Sequence, residues 1–383
     1  MSGSHTTPAA PRMRVLHVIN AMNLGGAEMV ALEHIRQAGA GIESTVCAVN
    51  NGGWAMREAE RLGAKSLVLG KQGGRLGAMR RLVDALRRER IDVVNGHNPS
   101  GGFYAAVAGR FAGTRVIVRT EHSIRHPGRF SGIYDAAVEP LLTVLTDRVI
   151  CVCDAVRRSQ LERMGWAANK CVTVLNGIAS APAAPELRDT TRAALGLEPE
   201  HVAAITVASL TPAKAQHVLV DAFAEVVRAI PEARLLFVGE GPLRGALEQQ
   251  VRSLGFEDRV QFLGMRKDIP ALLAAADVYV LSSSREGLSM SVLEAMRAAK
   301  PCIVTDVGGN AEAVTHDGTG LVVSPGDPQA FARALIALLP DRVRQAAWGA
   351  AARTRWEASF TAEHMVKTTE NLYCRLLGRP ETV

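Results

Sequence analysis

The sequence predicts an α/β protein of two domains, each a parallel sheet covered by helices on both faces. Three observations carry this. Short apolar runs alternate with amphipathic helical stretches along nearly the whole chain, as in repeated βαβ units. Glycine is frequent, 35 in 383 residues, as many βα turns require, beside 48% hydrophobic and 21% charged residues. One Ala/Pro-rich stretch, Ala179–Glu186 (ASAPAAPE), interrupts the alternation near the middle and reads as an interdomain linker. The length is enough for two full cores.

Composition removes several function classes. Aromatic residues make up only 4%, which argues against a base-stacking nucleic-acid platform, and no nucleic-acid partner is expected. A net charge of +6 suits an acidic nucleotide or an acidic lipid headgroup equally well. The six cysteines form no C-x-x-C pair and mostly sit in apolar runs, as expected for reduced thiols in the cytoplasm. Residues 1–12 read as a disordered polar tail, and no run of about 18 apolar residues predicts a membrane span.

In the first half, RVLHVINA (14–21) predicts a buried strand. Asn23 to Glu28 follow, with Gly25 and Gly26 allowing a tight turn and close approach of a ligand to backbone, and then a helix from about residue 29. Further strands are predicted at 44–49, 65–69, 91–95, 115–119, 148–153 and 172–175, with helices at 54–62, 76–88, 101–112, 135–146 and 154–163. His97 and His122 fall at strand ends, where ligands of parallel sheets lie. A histidine there is more often a hydrogen-bonded loop residue than a catalyst. Six arginines line residues 75–90 opposite an apolar side, which is either a solvated face or a surface for anionic lipid.

In the second half, strands are predicted at 202–210, 234–239, 260–264 and 278–281, and helices at 216–229, up to 254, at 268–275, up to about 339 and at 360–377. Between them lies the most informative stretch, LSSSREGLSMSVLEAM (281–296). A buried strand ends at Ser282–Ser284, a loop opens with Glu286-Gly287, and an amphipathic helix follows. That order points free backbone N–H groups at whatever lies above the sheet, suiting phosphate or sugar hydroxyls. Glu286 and Glu294 flank the loop with seven residues between them. Ser291 to Glu294 also spells a capping box, so Glu294 has a purely structural alternative.

The E-x7-E pair, followed by P-x-I-x-x-D-V-G-G-x-x-E from Pro301 to Glu312, resembles the retaining glycosyltransferases of family 4. Thr120-Glu121-His122-Ser123, the Gly25-Gly26 loop and Asn176-Gly177-Ile178 resemble further family segments, and the likeness runs from Arg14 to about Leu377. It implies the GT-B fold, two Rossmann-like domains facing each other across a cleft. The first would comprise 13–178 plus a returning 361–383, and the second 187–360. It also implies roles. Glu286 and His122 would act at the transferring sugar. Leu288, Ser289, Met290 and Ser291 would contact the donor, with Glu294 on the ribose, and Met265 and Arg266 would lie near the base. Lys214 would hold the diphosphate, and Gly25-Gly26 would face it. Two family positions differ: Ser209 stands where an Arg is expected and Ala215 where a Gly is expected, which removes a bidentate phosphate clamp. Arg266, Lys267 and Arg285 are candidate replacements.

The implied activity is retaining transfer of a hexose-type sugar from a nucleotide diphosphate sugar. A UDP-sugar is favoured and GDP-mannose is next. The acceptor would be a glycan, a lipid-linked group or a small molecule of bacterial surface polysaccharide or glycolipid assembly, in the cytoplasm or at the inner face of the cell membrane. No D-x-D occurs, so no metal or other cofactor is expected. Alternatives are another GT-B enzyme (epimerase or phosphorylase), a non-catalytic sugar-nucleotide-binding module, or a dehydrogenase built on Gly239-Glu240-Gly241.

Overall fold

Among the described residues every strand pairing is parallel, and the strands form two sheets. The computed structural model describes residues 12–23, 25–70, 74–124, 137–181 and 185–381. Most of the expected polar tail, the middle of the linker and the start of the helix expected at 135–146 lie outside these residues.

The chain divides into two units. The first comprises Met1–Val152, Arg157–Val174 and Ala362–Val383; the second comprises Cys153–Val156 and Leu175–Thr361. Strands of the first are β1 (Met13–Met22), β2 (Ile42–Gly52), β3 (Lys65–Val68), β4 (Val93–His97), β5 (Val116–Glu121), β6 (Arg148–Cys151) and β7 (Cys171–Thr173). Their order is β3-β2-β1-β4-β5-β6-β7. The second unit contains β8 (Val202–Val207), β9 (Ala233–Val238), β10 (Val260–Phe262), β11 (Val278–Leu281), β12 (Cys302–Thr305) and β13 (Gly320–Val323), ordered β10-β9-β8-β11-β12-β13. Both orders are doubly wound, and strand order reverses between β1 and β4 and between β8 and β11. Ligands of such sheets bind beyond the strand C-termini at those two points.

The central strands of both sheets are covered on both faces, which their largely apolar runs favour. β4, β5, β11 and β12 are buried at every position. Small residues let helices lie close: a Cβ on Gly101, in the helix Asn98–Ala112, would stand 2.2 Å from the Val18 carbonyl oxygen. The pair Gly239 and Gly241 serves the same need. A Cβ there would meet the Ala208 and Leu210 carbonyl oxygens at 2.1 and 2.3 Å, and the Leu210 amide donates to Glu240 O at 2.9 Å. These glycines join two loops of the second unit, which accounts for the motif without a dinucleotide.

Element boundaries shift where side chains intervene. Of the helix expected over 135–146, the described part includes Glu139–Leu145, with Pro140 in its first turn. The strand expected to reach residue 210 ends at Val207, because the following backbone turns to meet the Gly239–Gly241 loop. The last helix begins at Ala362, after Arg342–Ser359, and belongs to the first unit, where Glu370 accepts the Gly39 amide at 3.2 Å. The arginine-lined helix spans Gly74–Arg88 and buries Ala78, Leu82, Ala85 and Leu86. Two of its arginines are engaged with carbonyls, Arg81 with Leu69 O at 2.6 Å and Arg87 with Phe111 O at 2.5 Å. No described helix is long and apolar enough to cross a membrane.

One ion pair is fully internal. Arg119 of β5 meets Glu139 through both carboxylate oxygens, at 2.7 and 3.2 Å, and each side chain is 1% exposed. Gln160 donates to the same carboxylate at 2.9 Å. Glu139→Ala should cost about 3–5 kcal/mol, because it leaves a buried guanidinium without its carboxylate. Replacing both partners, as Arg119→Met with Glu139→Leu, should cost much less. Urea denaturation midpoints of the two variants test this ordering.

Candidate active site

In the second unit two loops meet at the reversal point, one after β8 and one after β11. The three serines that end β11 build the junction. Ser282 Oγ donates to Lys214 O at 3.0 Å, and the Ser284 amide and Oγ donate to Ala213 O at 2.8 and 3.2 Å. This brings Lys214 to Glu286: Nζ lies 2.5 Å from Oε1, and Ser283 Oγ donates to the same oxygen at 2.6 Å. The two side chains are 21% and 10% exposed, so the pair is largely shielded from water. Lys214, expected at the diphosphate, is half of an ion pair with a residue of the other loop. Among the described residues Glu286 Oε2 has no hydrogen-bond partner and is left for a ligand.

The Glu286 loop rests on a second backbone. Gly308 has φ +57, and a Cβ there would lie 2.5 Å from both the Glu286 and Gly287 carbonyl oxygens. The Gly309 amide donates to Gly287 O at 2.5 Å, and Thr305 Oγ1 to Ser283 O at 2.6 Å. Asn176 Nδ2 donates to Leu288 O at 3.3 Å. Glu312 points elsewhere, accepting the amides of Asp154 and Ala155 at 2.8 and 2.6 Å.

The helix after the loop spans Met290–Arg297, with Ser289 as its N-cap and no side chain capping its first-turn amides. The alternative capping box is not formed. Ser291 lies inside the helix and its hydroxyl bonds Tyr279 OH at 2.7 Å and Ser289 Oγ at 3.2 Å, so Glu294 has no capping duty. Burial raises the Glu294 pKa, opposed by Arg297. Leu288 and Ser289 are buried, while Met290 and Ser291 are half-buried. Ser209 accepts from Gln216 Nε2 through its carbonyl at 2.9 Å. Met265 is exposed, and Arg266 is exposed and bidentate with Asp268 at 2.8 and 2.5 Å. Arg285 is exposed.

In the first unit the reversal point lies between β1 and β4. Gly25 caps the helix Gly26–Arg36, and the Glu28 carboxylate sits over it, its pKa raised by burial. His122 follows β5. Its Nε2 lies 2.8 Å from His97 Nδ1, and His97 Nε2 lies 3.0 Å from His17 Nδ1. His122 is half-buried, and burial pulls its pKa down to about 4.

Residues 24–181 match the family described as Glycosyltransferase Family 4, and residues 188–355 the family described as Glycosyl transferases group 1. EpsD of Bacillus subtilis (strain 168), a glycosyltransferase by name, is 32% identical over 266 residues, covering 67% of this chain and 70% of that protein. The chain belongs to glycosyltransferase family 4. Another relative, the Escherichia coli UDP-Gal:alpha-D-GlcNAc-diphosphoundecaprenol alpha-1,3-galactosyltransferase, is 27% identical over 270 residues, covering 68% of this chain and 70% of that protein. The crystal structure of Anabaena Alr3699/HepE in complex with UDP-glucose matches at TM-score 0.85 and 24% identity, over 96% of this chain and 100% of that one. The fold is GT-B.

In this family 4 glycosyltransferase, sequence reasoning missed Ser283 and His17. Ser283 was legible only as a strand terminator. His17 had a signal: it stands in the middle of an apolar strand, where an unpaired polar side chain is costly.

Gly308→Ala tests the support beneath Glu286. It combines a left-handed backbone with overlap against two carbonyl oxygens, so it should cost about 2–4 kcal/mol. Gly326→Ala, also left-handed (φ +73) but with nothing within 4 Å of its Cβ, should cost about 1 kcal/mol. Equal melting-temperature losses for the two would show that the backbone contact is unimportant.

Proposed function

We propose that the protein is a retaining, metal-independent hexosyltransferase that takes a UDP-sugar, with GDP-mannose as the second choice. The acceptor would be a glycan, lipid-linked or small-molecule component of bacterial cell-surface polysaccharide or glycolipid, used in the cytoplasm or at the inner membrane face. The observation that carries this is the Lys214–Glu286 pair at the β8/β11 reversal point, beside the uncapped amides at Ser289 and Met290. The names of relatives support the donor class: one takes UDP-Gal, and the HepE crystal holds UDP-glucose.

The chemistry follows from the charges. As the sugar–phosphate bond breaks, positive charge grows on the ring and negative charge on the leaving diphosphate. Glu286, held by Ser283 and Lys214 through Oε1, keeps Oε2 for the donor sugar and stabilises the ring charge. Lys214 has three N–H donors, so it shares them between Glu286 and a phosphate oxygen without leaving the carboxylate. Glu294 has no structural cap to make and is assigned to the ribose. Leu288, Ser289, Met290 and Ser291 are assigned to the sugar through backbone amides, and His122 to a substrate oxygen. Ser209 leaves the family's Arg position without charge, and exposed Arg285 is the candidate replacement, since Arg266 is held by Asp268. The absence of D-x-D supports charge neutralisation by these groups.

Two outcomes are expected. Glu286→Gln should lower kcat about 10²–10³-fold with little change in donor affinity, because the ring charge exists only in the transition state. A variant that melts early yet keeps its kcat would return Glu286 to a structural role. Product formation from UDP-glucose should persist in EDTA, with the new bond of the donor's anomeric configuration by NMR. Loss of turnover in EDTA, restored by Mg²⁺ or Mn²⁺, would overturn the metal-free account. Release of free sugar, or epimerised donor without an acceptor product, would favour the other GT-B enzyme classes.

A further inference from the structure

The first sheet is parallel, so its strands all begin along one edge, opposite the end where ligands of such sheets lie. Five adjacent strands, β1, β4, β5, β6 and β7, each carry a basic residue at that start: Arg14, Arg90, Arg115, Arg148 and Lys170. With about 4.8 Å between strands, the row is about 19 Å long. In the second sheet Glu232 and Asp277 stand immediately before β9 and β11. The carboxylates of the first sheet's edge serve its backbone. Asp92 Oδ2 accepts the Arg14 amide at 3.0 Å, and Asp147 Oδ2 accepts the Ile117 amide at 2.8 Å. Arg90 is exposed, and its guanidinium has no partner among the described residues. It also adopts φ +50, at a helix end where glycine would sit with less strain.

Apolar side chains stand among these cations. The helices Gly74–Arg88, Asn98–Ala112 and Glu139–Leu145 each lead into a strand start, so they end at this edge. Phe111 is 68% exposed and Val144 58%, and Trp166, in the turn Gly165–Lys170, is 60% exposed. Hydrogen bonds tie the cations to the backbone of this apolar group. Arg87 donates to Phe111 O at 2.5 Å, and Arg110 Nε to Leu145 O at 2.9 Å. Lys170 Nζ donates to Thr146 O at 2.7 Å and Val144 O at 3.2 Å. The negative ends of the helix dipoles account for basic residues in the last turns. They do not account for the apolar group. One exposed apolar residue is ordinary, but three along a single cationic edge mark an interaction surface.

We infer that the strand-start edge of the first unit docks on a membrane containing anionic lipid. Its cations meet lipid phosphates, while Phe111, Val144 and Trp166 enter the headgroup region, where aromatic rings are favoured. The surplus of positive charge selects an anionic surface, and a row of regular spacing suits a plane of repeated headgroups. Lys170 spends its donors on carbonyls and contributes charge alone. The inference deepens the inner-face placement under the proposed function and rests on it for its purpose. Vesicle binding is read without turnover, so a failure here leaves the transferase reading standing, and the converse holds.

Sedimentation of the full chain with lipid vesicles tests this. The protein should pellet with mixed phosphatidylglycerol and phosphatidylcholine vesicles, stay in solution with phosphatidylcholine alone, and be released by salt. Arg90→Gly is the discriminating variant. It should weaken binding to the mixed vesicles about fivefold, as loss of one surface cation does. It should not lower the melting temperature, since glycine suits that left-handed backbone. Phe111→Ser with Trp166→Ser, both at exposed positions, should weaken binding at least about tenfold with an unchanged melt. Equal pelleting with neutral vesicles, or unchanged binding in either variant, would overturn the inference. A dimer in light scattering that Phe111→Ser disperses would give the surface to a second copy of the chain, and would overturn it as well.

Discussion

The Lys214–Glu286 ion pair is the interaction around which the second unit's site is built. Each partner comes from a different loop, Lys214 from a single 3-10 turn (Pro212–Lys214) and Glu286 from the irregular stretch after β11. Their positions are fixed by Ser282 and Ser284, which donate to the carbonyls of Lys214 and Ala213. A 2.5 Å charge-assisted bond in a shielded setting is stronger than the same contact in water, and it presets one carboxylate oxygen while leaving the other for a ligand. Preorganisation of this kind is what electrostatic catalysis needs, because the charges do not have to reorganise as the bond breaks.

Backbone packed directly on backbone supports that pair. Gly308 and Gly309 lie against Glu286 and Gly287, and Gly239 and Gly241 lie against Ala208 and Leu210, leaving no room for a side chain. Ala215 shows the cost of departing from glycine. It adopts φ +47, a conformation disfavoured by roughly 1–2 kcal/mol for a residue with a Cβ, and the hydrogen bonds of the neighbouring loop hold it there. The loop thus holds a left-handed turn with a residue that resists it.

The first unit stores polarity on both faces of β5. Arg119 points one way into its ion pair with Glu139. Thr120 and His122 point the other way, and Thr120 Oγ1 donates to Asn95, whose Nδ2 donates to Tyr373 OH at 2.9 Å. Burying such groups costs several kcal/mol unless each finds a partner. Here the partners come from β1, β4, the helix Glu139–Leu145 and the last helix, so one strand commits four distant stretches of sequence to a single arrangement.

Much of this was written in the sequence by itself. Alternating apolar runs and glycine-bearing turns determined two parallel sheets, and the spacing of Glu286, Glu294 and Gly308-Gly309 marked the loop. These are local signals, set by periodicity and by backbone positions that exclude a side chain. Tertiary structure alone decided which side chains meet. The capping box open to Glu294 is ruled out by a helix that starts at Met290, and the pairing of Lys214 with Glu286, 72 residues away, depends on the serines that join the two loops. The contact of His17 with His97 was illegible for the same reason. His17 and His97 are 80 residues apart, and only strand register, which no local pattern encodes, brings their ring nitrogens within 3.0 Å.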